Sequence, residues 1–141
     1  MAVHALSTKS EPSLDWAYAL GRVLLALLFL WSGYGKLMNP AGTAGYMKSF
    51  GLPLPEVLVW VALLVELAGG AMLVLGYKVR WAALALIVFT VIASFVFHAF
   101  WAVPPAQAMG QQINFMKNIA IIGGLLALLA HGSGRYAIER S

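Results

Sequence analysis

Apolar residues in this chain fall into four long, nearly unbroken stretches, and polar residues gather between them. The stretches run from Trp16 to Leu37, Glu56 to Leu75, Arg80 to Trp101 and Gln112 to His131. Each is close to the roughly 20 residues that a helix needs to cross a hydrocarbon core. Backbone polar groups cannot stay unpaired in lipid, so each stretch predicts a membrane-spanning helix. Apolar and polar positions do not alternate along short segments, which argues against a transmembrane β-barrel. The first stretch is too long for a signal peptide and lacks a small-residue cleavage site, so it reads as a retained span.

The breaks carry turn chemistry. Asn39-Pro40 and Leu52-Pro53-Leu54-Pro55 fence the first connection. Pro55 suits the first turn of a helix, where its missing N–H costs nothing. Gly76 stands in the position of a C-terminal cap, so the second and third helices are expected to be antiparallel neighbours across a tight turn. Pro104-Pro105 separates the third from the fourth. Gly132-Ser133-Gly134 reads as a linker opening a short polar tail. The expected fold is an all-α, antiparallel four-helix membrane bundle forming a single domain over residues 1–141.

The polar residues inside these stretches stand out, because charge at membrane depth is costly and usually faces a bundle interior. They are Arg22, Glu66, His98 and Lys117, one per stretch, with Lys36 at the end of the first. Arg22, Phe29, Gly33 and Lys36 share one helical face. Glu66 is followed by Gly69 and Gly70; Thr90, Ser94, His98 and Trp101 mark the third helix; Asn114, Lys117, Asn118 and Ile121 mark the fourth. Turning all four stripes inward gives the simplest packing, with small residues allowing close approach. If the stretches are level with the membrane, the depth below the outer boundary is about 2 Å for Lys36, 5 Å for His98, 8 Å for Lys117, 15 Å for Glu66 and 22 Å for Arg22. This places Glu66 between Arg22 and Lys117 in an expected Arg22–Glu66–Lys117 network. One reading makes the network a lock on helix register. The other makes it a site, since cations outnumber the single acid.

Composition narrows the chemistry. The chain of 141 residues is 62% hydrophobic and 10% charged, outside the range of soluble or disordered proteins. Cysteine is absent, which removes thiolate nucleophiles, disulfide relays, iron–sulfur clusters and Cys-ligated zinc. No His and carboxylate pair has metal-ligand spacing, and His98 and His131 lie near opposite faces, so no metal site is expected. The net charge of +4 points to topology rather than nucleic acid. Lys9, Lys78, Arg80, Arg135 and Arg140 should lie on one side, with only Lys48 in the other loops. The positive-inside rule then predicts that both termini are cytoplasmic.

The ordered residues Arg22, Phe29, Ser32-Gly33 and Lys36-Leu37 resemble the opening helix of the DoxX family. Phe50-Gly51-Leu52-Pro53, Glu66-Leu67-Ala68-Gly69-Gly70, Gly76 with Arg80, His98, Lys117-Asn118 and Gly123-Gly124 extend the resemblance from about Leu20 to Gly134. It implies a four-helix protein of the bacterial inner membrane. Some relatives are associated with quinone-linked sulfur oxidation or with membrane complexes for oxidative stress. The expectation is a redox-associated subunit that binds a quinone or similar lipophilic or anionic ligand through Arg22, Lys36, Glu66, His98, Lys117 and Asn118. Arg22 and Lys117 would hold ligand oxygens, Glu66 would exchange a proton and His98 would gate the outer mouth. The alternatives are a proton-coupled transporter, which would need a homodimer, and a scaffold in the bilayer for a partner oxidoreductase.

Overall fold

A computed structural model describes residues 13–139. Five α-helices and one short 3-10 turn make up the described residues, which contain no strand. They are α1 Asp15–Met38, α2 Pro40–Ser49, α3 Pro55–Leu75, α4 Val79–Phe97 and α5 Pro105–His131, with the 3-10 turn at Phe100–Ala102. Four of the helical segments are long and apolar enough to cross a membrane. The fold is the expected four-helix membrane bundle, with three local differences.

First, the connection after α1 is itself helical. Asn39 caps α2 by accepting the Gly42 N–H at 3.0 Å, and Pro40 occupies the first turn. Ala44 and Met47, three residues apart, bury one face of α2 against Val59 and Ala62 of α3. A helix this short and this poor in apolar residues is invisible to a search for membrane spans. Second, α4 ends at Phe97, so His98 is its C-cap and Trp101 lies in the 3-10 turn. Third, α5 starts at Pro105 rather than at Gln112, because Pro104-Pro105 begins the helix as well as ending the loop. At about 1.5 Å per residue α5 is about 40 Å long, more than the roughly 30 Å hydrocarbon core.

The main core joins Ala26 and Phe29 of α1, Leu73 of α3, Ala82, Ala83 and Leu86 of α4, and Leu125 and Leu128 of α5. Glycines bring α1 and α3 together. A Cβ on Gly33 would lie 2.8 Å from the Leu67 side chain, and one on Gly70 would lie 2.9 Å from Leu30. Gly76 closes α3 in the left-handed conformation at φ 73°, which no side chain adopts readily. The α3–α4 turn, the start of α1 and the end of α5 share one end of the bundle. There the tail returns to the turn: Ile138 N–H donates to the Leu75 carbonyl at 3.0 Å, and Glu139 N–H to Gly76 at 3.3 Å. The tail is therefore packed structure, not linker, and Ser133 is fully buried. Lys9 and Arg140 lie outside the described residues.

Candidate functional site

Register between α1 and α3 decides which charges meet. Gly33 faces Glu66 and Leu67, while Gly76 faces Arg22. Glu66 is thus level with Gly33, eleven residues from Arg22 along α1, or about 16 Å. No arginine side chain spans that gap. The sequence-based depths assumed that the helices end level with one another. Instead α3 runs past the end of α1 to pack against α2, which brings Glu66 towards Lys36.

The result is a compact triad. The Ser32 hydroxyl donates to Glu66 Oε1 at 2.9 Å. Lys36 Nζ donates to Glu66 Oε2 at 2.9 Å, to Oε1 at 3.1 Å and to Ser32 Oγ at 2.8 Å. All three ammonium protons are placed. Ser32 and Lys36 stand one turn apart, so a single face of α1 supplies both groups. Glu66 is 3% exposed and Lys36 19%, so the acid is enclosed while its lysine partner, like Ser32, is partly open. Lys36 is accordingly a partner of the buried acid. Ser32 was legible as part of the family-like pattern, but its role depends on register.

The expected Arg22–Glu66–Lys117 network does not form. Arg22 donates from Nη1 to the Ser133 carbonyl and from Nη2 to the Tyr136 carbonyl at 2.6 Å. The Tyr18 hydroxyl donates to the Gly132 carbonyl at 2.5 Å, and its ring lies 4.2 Å from that of His131. Arg22 and Tyr18 together hold the tail in the mouth of the bundle. Lys117 lies on the exposed face of α5 beside Met109, Ile113 and Met116, and has no hydrogen-bond or ion-pair partner among the described residues. Asn118 takes the face of α5 turned to α4, and Lys117, about 100° round the helix from it, faces outward, so its inward orientation is not realised.

Asn118 does turn inward. Its Nδ2 donates to Ser94 Oγ at 3.0 Å and ties α5 to α4. The buried Ser94 and Thr90 hydroxyls return to carbonyls one turn earlier on α4, at 2.6 and 2.7 Å. His98 Nδ1 lies 2.8 Å from Gln111 Oε1 across the same helix pair. Gln111 escapes a search over Gln112–His131 because α5 begins earlier than that stretch. Among the described residues no cluster of three or more His, Asp or Glu is placed to hold a metal ion.

The fold and this pattern of buried polar groups define a small polytopic membrane protein in which one acid is held between two helices. A family model for DoxX matches residues 17–99, and the chain belongs to the DoxX family. It is 35% identical over 126 residues to inner membrane protein YqjF of Escherichia coli, covering 89% of this chain and 92% of that one. It is 31% identical to inner membrane protein YphA of the same organism, over 86% of each. A Surfeit locus protein 4 homolog of Schizosaccharomyces pombe is 28% identical over 84% of this chain, although the match covers only 35% of that protein. No solved structure matches the chain.

Proposed function

We propose that the protein is a ligand-binding membrane subunit whose site is the Ser32–Lys36–Glu66 triad. The carrying observation is that the acid is buried while its lysine partner keeps an open side. A ligand oxygen arriving at Lys36 takes the place of the Glu66 carboxylate on the ammonium, while Glu66 keeps the bond it accepts from Ser32. A lipophilic molecule with carbonyl oxygens fits this exchange. A quinone is the first candidate, because the family resemblance links relatives to quinone chemistry. Its electrons would pass to or from a partner oxidoreductase. Arg22 and Lys117 have no part in this site; His98 and Asn118 belong to the neighbouring α4–α5 contact.

The names of YqjF and YphA support placement in a bacterial inner membrane. Lys78, Arg80 and Arg135 at the end bearing the termini, against Lys48 at the other, favour cytoplasmic termini. The test is mass spectrometry of organic extracts from the full chain purified in native lipid. Wild type should carry quinone near one per chain. Lys36→Met and Glu66→Gln, shown to be folded, should lose it at least tenfold, while Lys117→Met keeps it. Quinone at the lipid background in wild type would overturn the proposal.

A second reading, a scaffold for a partner membrane protein or a second copy, is favoured by α5. Its most apolar window is 11% buried, the least of the four spans.

A further inference from the structure

The other unusual buried group is Arg22. It is 2% exposed, and its guanidinium meets only neutral carbonyls of Ser133 and Tyr136. The ion pairs among the described residues are Lys36–Glu66 and Arg135–Asp15, so no acid there neutralises Arg22. Its Nε is buried without a hydrogen-bond partner. A buried cation with an idle donor is an unmet demand, since buried polar groups are nearly always paired.

Arg22 also lines a groove. Gly21, Leu24 and Leu28 of α1 face Ile121, Gly124 and Ala127 of α5 across about 590 Å³ of apolar space. The groove opens towards where lipid would lie, and a Cβ added at Gly21 would meet nothing within 4 Å. Arg22 stands seven residues beyond the start of α1 at Asp15, or about 10 Å. With a headgroup zone several ångströms thick on each side, this is close to the depth of lipid glycerol esters. At the same end, exposed Arg80 donates to the Ala130 carbonyl at 3.3 Å, and Arg135 is also exposed.

We propose that the α1–α5 groove holds one anionic phospholipid, its acyl chain along the apolar walls and its head oxygens at Arg22, with the Arg80 charge at the same end of the bundle. A second copy of the chain fits less well. The backbone groups of a neighbouring helix are already paired within that helix and offer Nε no acceptor. A phospholipid brings free ester and phosphate oxygens together with negative charge, and Arg is well suited to phosphate.

Native mass spectrometry of the full chain tests this, with phosphatidylglycerol and phosphatidylcholine of matched acyl chains added in detergent. Wild type should retain one phosphatidylglycerol per chain, at least tenfold over phosphatidylcholine. Gly21→Leu fills the groove without touching Arg22 or the tail; it should lower that retention at least tenfold while the melting temperature holds. Ala127→Leu, on the facing wall, gives the same test if Gly21→Leu does not fold. Equal retention of the two lipids overturns the proposal. So does undiminished phosphatidylglycerol in the folded variant, or a variant that loses a dimer and keeps its lipid.

Discussion

Arg22 and Lys36 stand on the same face of α1, yet they answer to different parts of the molecule. Lys36 meets a carboxylate and a hydroxyl from within the bundle, and its three donors are filled. Arg22 meets backbone carbonyls from the returning tail, and one of its donors is left over. At the Lys36 end charge is balanced inside the protein. At the Arg22 end it is not. Helix register creates the difference: sliding α3 past the end of α1 gives Glu66 to one cation and takes it from the other.

The largest expected effect comes from breaking the balanced end on one side only. Glu66→Leu strands Lys36 against a buried apolar surface and should cost about 4 kcal/mol of stability, read by denaturant unfolding in micelles. Replacing both partners, as Lys36→Met with Glu66→Met, should recover most of that loss, since an apolar pair of similar volume is tolerated. Next comes the other cation. Arg22→Met removes two charge-assisted bonds to the tail and should cost about 3 kcal/mol. Its particular signature is faster amide exchange and proteolysis across residues 132–139, with the α1–α3 triad unchanged. Gly76→Ala should cost about 1–2 kcal/mol, because it forces a side chain into a left-handed turn. A Cβ there would also lie 2.4 Å from Ala137 Cβ, so the same tail contacts should loosen. Asn118→Leu removes one interhelical bond and should cost about 1 kcal/mol. Lys117→Met should leave thermal stability unchanged or raised, as it only removes an unpaired charge from an outward face.

Much of the fold was legible in the sequence. Long apolar stretches report on membrane spans because lipid demands internal pairing of the backbone. Gly76 and Pro55 marked helix ends by their backbone restrictions. The membrane-depth charges were legible as a set, but their partners were not. Pairing across helices depends on axial offset, which a single sequence of apolar stretches does not encode. The offset here comes from α2, and the Asn39-Pro40 cap and the Ala44–Met47 spacing were its only local signals. The tail shows the same limit. Gly132, Ser133 and Gly134 look like linker until Tyr18 and Arg22 are seen to bind their neighbourhood. Long-range contacts, not composition, order that segment.

Lys36, rather than Arg22 or Lys117, is the partner of Glu66. A double-mutant cycle on unfolding free energy tests it directly, pairing Glu66→Gln in turn with Lys36→Met, Arg22→Met and Lys117→Met. Coupling of about 2 kcal/mol is expected for Lys36 and nearly none for Arg22 and Lys117. Strong coupling of Glu66 to Arg22 or Lys117, with none to Lys36, would contradict this pairing.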